Sequence, residues 1–363
     1  MTPIAINGRF LTQRVTGVQR FAIEITRMLD AMVAEGLLPG ARLLRPAGGP
    51  PSPFPHLADE AFGRLRGQAW EQLELPGRAR GSVLVNLGNT APLRAGRHQA
   101  VVLHDAGVFD TPESYSASFR AWYRGMQWTL PRLGARLLTV SDFSRGRIAA
   151  NLGIAPDRIG VVHEGGGHIL HEPADGGVLA RHGLVPGRFA LVVGTRAAHK
   201  GLGGLAEAQA LLASRGLVLA VAGAADAAVF RNAGDPQGEA VAPLGRVSDA
   251  ELRALYEAAL CLIFPSRYEG FGLPPLEAMV CGCPVIAADA AAVPEVCGDA
   301  ALWFDNDGPR RLPDALARLL DEPGLDETLR ARGRSRAAGY SWRGAAERLV
   351  SLLPERDGRE SGR

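Results

Sequence analysis

Two carboxylates, Glu269 and Glu277, are separated by seven residues in Phe264-Pro-Ser-Arg-Tyr-Glu-Gly-Phe-Gly-Leu-Pro-Pro-Leu-Glu277. Carboxylates accept paired hydrogen bonds from the hydroxyls of sugars or ribose. The Gly-Phe-Gly turn between them lets backbone approach a ligand closely. Pro274 and Pro275 mark a helix start. The free N–H groups and partial positive charge at a helix N-terminus suit a phosphate. Glu269 is expected in the loop and Glu277 in the first turn of the helix. The stretch is built to hold something both anionic and rich in hydroxyls, a description that fits a nucleotide sugar.

The flanking residues show which elements carry this loop. Cys261-Leu-Ile-Phe is an apolar run of strand length, Gly282 closes the helix, and Pro284-Val-Ile-Ala-Ala opens the next strand. The same alternation recurs in both halves. Strands are expected at 3–7, 83–86, 100–103, 137–140, 189–193, 217–221, 261–264 and 285–288, with a helix over 18–32. Residues 44–58, rich in Pro and Gly, read as an irregular surface loop, and 172–187 as a linker. Residues 311–353 return to helix, and the polar tail from Pro354 reads as disordered. The fold class is α/β with parallel sheets. A chain of 363 residues exceeds what one core usually holds, so two domains are expected.

Bulk properties exclude several classes. A net charge of +2 gives no case for nucleic acid. The four cysteines, Cys261, Cys281, Cys283 and Cys297, cluster in one apolar region. They do not form a disulfide framework and fit a reducing cytosol. Cys281-Gly-Cys283 lacks a second ligand cluster and reads as buried small residues. The start of the chain has no signal-peptide pattern. No apolar run reaches the ~18–20 residues that span a bilayer, so any membrane contact is peripheral.

Lys200 is the single lysine among 40 Lys and Arg residues. It follows the apolar run 189–193 in Gly194-Thr-Arg-Ala-Ala-His-Lys-Gly, at a strand's carboxyl end, where open α/β sheets bind ligands. Either a compact, mobile ammonium is required there, or one lysine survived by chance on a solvated loop. Thr16-Gly17 opens the 18–32 helix and reads as an anion site or an ordinary N-cap. His104-Asp105 follows the strand ending at Leu103; the histidine contacts a ligand or serves structure. Residues 119–136 interleave Phe119, Trp122, Tyr123 and Trp128 with arginines. They fit an anionic membrane surface or lipid diphosphate, or an amphipathic helix with its aromatic face in the core. Three lures are set aside. His163-Glu-Gly-Gly-Gly-His168 has one residue too many for a zinc-protease motif. Asp305-Asn-Asp307 precedes Gly308-Pro309 and reads as a turn, and Gly165-Gly-Gly167 lacks dinucleotide spacing.

The 264–277 stretch resembles the signature of retaining glycosyltransferase family 4, the two-Rossmann-domain GT-B type, and within it a bacterial polysaccharide and mannosyltransferase-like subgroup. The resemblance extends over nearly the whole chain. It includes Asn7-Gly-Arg-Phe-Leu, Thr16-Gly-Val-Gln-Arg-Phe, Val102-Leu-His-Asp, Thr139-Val-Ser-Asp-Phe-Ser-Arg, Leu244-Gly-Arg-Val-Ser-Asp, Leu255-Tyr-Glu-Ala-Ala and Val293-Pro-Glu-Val-Cys-Gly-Asp-Ala-Ala. It implies an acceptor domain over 1–172 and a nucleotide-sugar domain over 187–335, facing a deep cleft. A C-terminal helix over 336–353 would return to the first domain, followed by the tail 354–363. It implies catalytic roles for Lys200, Glu269 and His104. It implies donor contacts from Gly17, Arg196, Lys200, Glu269, Gly270, Phe271, Gly272, Leu273 and Glu277, with Glu269 on the transferred sugar and Glu277 on the ribose. No metal or other cofactor is implied, and the co-substrate is a nucleoside-diphosphate sugar. The acceptor is a glycan or polyprenyl-diphosphate-linked saccharide, and the location cytoplasmic or peripheral to the inner membrane face. GDP-mannose is the favoured donor, with UDP-glucose or another hexose donor close behind. A sugar-nucleotide epimerase or phosphorylase, or a non-catalytic nucleotide-sugar-binding relative, is the alternative. The chain departs from the pattern twice. His199 stands where the family often has arginine, leaving Arg196 as the candidate second cation, and His163–His168 replaces the usual Pro-Asn-Gly.

Overall fold

A computed structural model describes residues 3–194, 205–223 and 241–354. By contacts, the described residues within Met1–Glu164 and Trp342–Arg363 form one unit, and those within Gly165–Ser341 form another.

The first unit holds a seven-stranded sheet built from β1 (Ile4–Asn7), β2 (Arg42–Pro46), β3 (Ala58–Phe62), β4 (Val83–Asn86), β5 (Gln99–Val102), β6 (Arg136–Thr139) and β7 (Ile159–Val161). The order is β3-β2-β1-β4-β5-β6-β7, and every pairing is parallel. The second unit holds β8 (Phe189–Val193), β9 (Val218–Ala222), β10 (Val241–Gly245), β11 (Cys261–Phe264), β12 (Val285–Ala288) and β13 (Ala301–Phe304). Their order is β10-β9-β8-β11-β12-β13, again parallel throughout. Both units are Rossmann-like α/β sheets. The central strands β1, β4, β5, β11 and β12 are buried at every residue, as sheets covered on both faces require. In each sheet the strand order reverses once, between β1 and β4 and between β8 and β11. The carboxyl ends of such a pair are where open α/β sheets bind ligands. The loop carrying Glu269 follows β11, and Lys200 follows β8.

Five strands lie outside the sequence expectation. β2 and β3 carry Arg42, Arg45, Asp59 and Glu60, which form the ion pairs Arg42–Glu60 and Arg45–Asp59 diagonally across the two strands. A charged edge resists further pairing but hides the strand from an apolar search. β7 and β13 are short, and β10 carries Pro243 and Gly245 with a register shift between them. The expected loop 44–58 is correspondingly narrower, and it is pinned rather than loose. Phe54 and Leu57 are buried, and the Asp30 carboxylate accepts from the His56 and Leu57 amides at 2.8 Å each.

The expected linker and domain edges also shift. The Asp175 amide donates to the Ala250 carbonyl at 2.9 Å and the Gly187 amide to that of Ala258 at 2.8 Å. A short helix, Gly177–Arg181, lies between them. These bonds tie 165–187 to the second unit despite its linker-like composition. At the other end, Tyr340 Oη and Arg336 Nε donate to the Glu295 and Val296 carbonyls at 3.0 and 2.9 Å, so the second unit runs to Ser341. Helix Trp342–Ser351 belongs to the first unit, where Trp342 meets Phe21 and Arg343 pairs with Glu35. The tail from 355 lies outside the described residues.

Candidate functional site

The β11 loop folds as its residues demand. Gly272 sits at φ +109°, a backbone state that excludes ordinary side chains, and caps helix Leu273–Val280. Phe271 is buried, its ring edge-on to Tyr340 at 5.8 Å. Pro274 and Pro275 bring no N–H, so within the first three helical positions only Leu273 can offer one. The helix N-terminus therefore offers fewer free donors than the usual four. Glu269 is half-buried in the loop. Glu277 corrects an expectation: it opens the second turn, not the first, and the first turn contains no acid. A favourable dipole at the helix end is thus not the reason for its presence.

Glu277 is buried, and both of its oxygens are held. His168 Nε2 lies 2.8 Å from Oε1, and Tyr256 Oη donates to Oε2 at 3.0 Å. Burial first, then the neighbouring Glu277 charge, pushes the Tyr256 phenol well up, so it stays protonated and donates. No arginine or lysine pairs with Glu277 among the described residues. Each carboxylate oxygen has two lone-pair sites, so one donor apiece leaves capacity for two hydroxyls. Gly166 makes the His168 contact possible. A Cβ there would come within 2.8 Å of Val280 Cγ2 and 2.9 Å of Leu276 Cγ, so only glycine lets this segment lie on the helix. The nearby thiols of Cys281 and Cys283 are each pushed up to about 12, chiefly by burial, and are protonated at neutral pH.

In the first unit, His104 lies just past β5 and is buried. Its Nε2 is 2.9 Å from the Leu87 carbonyl and its Nδ1 3.6 Å from Glu164 Oε1. Its amide donates to Asn89 Oδ1 at 2.7 Å, and its carbonyl accepts from Ser144 Oγ at 3.0 Å. Ser144 belongs to the Val-Ser-Asp-Phe-Ser segment, whose Ser141 caps the helix Asp142–Leu152. That segment therefore fixes the His104 loop. Gly17 opens helix Gly17–Ala34, and Thr16 at its N-cap makes no side-chain capping bond. A Cβ at Gly17 would meet nothing within 4 Å, so packing inside this unit does not demand the glycine.

Sequence reasoning missed a buried cluster at the carboxyl ends of β1 and β4. Asn7 Nδ2 donates to Glu71 Oε1 at 2.7 Å and to Asn86 Oδ1 at 2.9 Å. Arg9 Nε donates to Glu71 Oε1 at 3.1 Å, and Arg9 Nη2 to Thr90 Oγ1 at 2.6 Å. Glu71 Oε2 is buried without a partner among the described residues. His168 and Tyr256 were also missed. Three glycines before His168 signalled a close approach, but Tyr256 sits in the apolar stripe of helix Asp249–Ala258 and reads as core.

Gly167–Leu170 is a single 3-10 turn, so no zinc-binding helix forms around His168. Asp305 pairs with Arg310 and Asp307 with Arg267, which hold both carboxyls below their usual range. Among the described residues no cluster of three or more His, Cys, Asp or Glu is placed to hold a metal. On helix Ala117–Arg132 Tyr123 packs against the core of the first unit, and the other three aromatic residues do not enter it. Phe119, Trp122 and Trp128 are exposed while Met126 and Leu130 are buried. Lys200, Arg196 and His199 lie outside the described residues.

Comparison with known proteins agrees with this geometry. The family model "Glycosyl transferases group 1" matches residues 182–336, within the second unit. O-antigen chain mannosyltransferase B of Escherichia coli is 33% identical over 260 residues, covering 68% of each chain. MMP alpha-(1->4)-mannosyltransferase of Mycolicibacterium hassiacum is 32% identical over 64% of this chain, a match spanning 57% of that protein's length. Among solved structures, WaaG, a glycosyltransferase involved in lipopolysaccharide biosynthesis, superposes with a TM-score of 0.71 at 16% identity over 98% of this chain and all of its own. Anabaena HepE, solved with UDP and glucose, gives 0.72 at 16% identity over 97% and 99%. The parallel sheets with single order reversals, the paired carboxylates after β11 and the extent of these matches carry one conclusion: the chain belongs to the group 1 glycosyltransferases.

Proposed function

We propose that the chain is a metal-independent, retaining hexosyltransferase of polysaccharide biosynthesis, taking a nucleoside-diphosphate sugar as donor. The observation that carries this reading is Glu277, a buried carboxylate held by two donors yet left with lone pairs for hydroxyls, in the helix that follows β11, a strand beside the order reversal where such sheets bind ligands. In this reading Glu277 receives the ribose hydroxyls and Glu269 the hydroxyls of the transferred sugar. The amides of Gly270, Phe271, Gly272 and Leu273 face the phosphates and sugar. Lys200, with Arg196, neutralises the departing diphosphate, and Gly17 leaves room for it. His104 contacts the sugar from a ring held by Leu87 and Glu164. Preorganised charge of this kind is the main source of catalysis when no covalent nucleophile is in place. The O-antigen and MMP mannosyltransferases among its relatives support mannose as the transferred sugar; GDP-mannose is the donor in this reading. The acceptor is a glycan or polyprenyl-diphosphate-linked saccharide. No described helix is long and apolar enough to cross a membrane. The exposed aromatic and arginine face of helix Ala117–Arg132 suits a peripheral contact with the inner face of the membrane from a cytoplasmic location.

A transfer assay from GDP-mannose and UDP-glucose, with and without EDTA, tests the reading. Nucleoside diphosphate should be released in step with a glycosylated acceptor and should not depend on metal. Loss of turnover in EDTA, restored by Mg²⁺, would overturn metal independence. Lys200→Ala should lower kcat by roughly 10²–10³, the usual cost of one preorganised donor. As the single lysine, Lys200 should also be shielded from amine-directed labelling by nucleoside diphosphate. Equal labelling with and without nucleotide contradicts its role.

A further inference from the structure

A cavity of about 740 Å³ opens in the first unit, lined by the chain after β1 (Arg9, Thr12, Arg14), after β2 (Gly48, Gly49) and after β3 (Arg66), among others. All three segments leave the carboxyl ends of adjacent parallel strands. None of the lining residues is acidic. Arg14 and Arg66 are exposed, and neither guanidinium has a carboxylate partner among the described residues. Arg9 is different. It is buried at 8% exposure, Glu71 offsets its charge from behind, and its Nη1 has no partner among the described residues. A buried guanidinium fixed on one side and unfilled on the other is a rigid donor at the wall of the cavity. Leu11 and Pro46 supply an apolar wall, and Thr12 and Gln13 a polar one.

We propose that this cavity seats a phosphate group of the saccharide acceptor, held by Arg9, Arg14 and Arg66. Three guanidiniums lining one cavity from two loops, after β1 and after β3, suit a group with several oxygens arranged around one centre, because each planar fork can take two of them. The volume lies within the range of small-molecule sites and exceeds what a phosphate alone needs, leaving room for an attached sugar. No lining residue is among the donor residues named above, and the family model, at 182–336, does not reach this unit's sheet. The inference rests on the transferase reading, which makes one of two substrates an acceptor.

The full chain, saturated with nucleoside diphosphate so that the donor diphosphate position is filled, is titrated by calorimetry with three probes. These are methyl α-mannoside, mannose 1-phosphate and a decyl-diphospho-mannose. Mannose 1-phosphate should bind at least about tenfold tighter than the neutral mannoside, the equivalent of one charge-assisted hydrogen bond. Arg14→Gln with Arg66→Gln should abolish that preference. Both residues are exposed, and an unchanged melting temperature and nucleotide affinity would show the double variant to be folded. Tighter binding of the decyl-diphospho probe than of mannose 1-phosphate assigns the phosphate to a lipid carrier; equal binding assigns it to the saccharide itself. Equal affinity for the neutral and phosphorylated sugars, no binding of either, or a preference that survives the double variant overturns the proposal. Failure of the transferase reading would appear separately, as absent nucleotide binding and absent transfer.

Discussion

Each unit buries a carboxylate near the carboxyl end of its sheet, and the two are treated in opposite ways. Glu71 in the first unit meets a guanidinium, an asparagine and a threonine on one oxygen. Arg9 offsets its charge, and the pair holds Asn7 and Thr90 in place, with Asn86 bonded to Asn7. Glu277 in the second unit meets a phenol and an imidazole, one on each oxygen, and no arginine or lysine among the described residues. Its acceptor capacity is oriented but not consumed. Burial alone therefore does not separate a structural carboxylate from the one proposed to bind a ligand. The partners differ: a guanidinium offsets the Glu71 charge, whereas a phenol and an imidazole orient Glu277.

The comparison can be broken at either end. Arg9→Ala should have the largest effect on folding, costing about 3–5 kcal/mol by leaving the Glu71 charge buried and unpaired. Urea unfolding would measure it. Replacing Arg9 and Glu71 together with Met and Leu should recover most of that loss, since a buried pair is often no better than apolar residues of similar volume. A loss below about 1 kcal/mol for Arg9→Ala would mean that the pair is not what organises the β1–β4 end.

At the other carboxylate the expected effects are smaller and fall on binding. Tyr256→Phe and His168→Gln should each cost about 0.5–1.5 kcal/mol of nucleoside diphosphate affinity, through looser aiming of Glu277. Calorimetry against wild type would show it. Unchanged affinity with lowered stability would make both residues structural props.

The smallest effect at neutral pH concerns the thiols. Cys281, Cys283 and Cys297 are each pushed up to about 12, mainly by burial. Above about pH 9 the unfolded chain sheds protons that the native thiols keep, so unfolding is favoured as pH rises. The thiol contribution is fully present below pH 9 and is lost toward pH 12. The urea midpoint should be flat between pH 7 and 8.5 and fall above 9. Cys283→Ala should flatten that fall, and an unchanged slope would place its source elsewhere.

Much of this was legible in the sequence, for reasons that differ by element. β8, β11 and β12 matched their expected limits because buried parallel strands are unbroken apolar runs. β2 and β3 were not legible, because an edge strand and its neighbour bearing the ion pairs Arg42–Glu60 and Arg45–Asp59 look like loops. The loop at 264–277 announced itself through residue types that few other structures need. Its supports did not. His168 lies 109 residues before Glu277, and Tyr256 is one aromatic residue in a core-facing stripe. Contacts of that separation leave no periodic trace, and Gly166 gives only the hint that something packs closely there.

The account stands or falls on whether Glu277 holds a ribose. The direct measurement is calorimetry of wild type and Glu277→Gln with the nucleoside diphosphate that gives the largest thermal shift, and with its 2′,3′-dideoxy counterpart. For wild type, removing the ribose hydroxyls should weaken binding by roughly 10–100-fold, the worth of one charge-assisted hydrogen bond or slightly more. Glu277→Gln should already carry a comparable loss with the intact nucleotide and lose little more with the dideoxy form. A Glu277→Gln protein that binds the intact nucleotide as wild type does, or that still pays the full dideoxy penalty, would contradict the assignment.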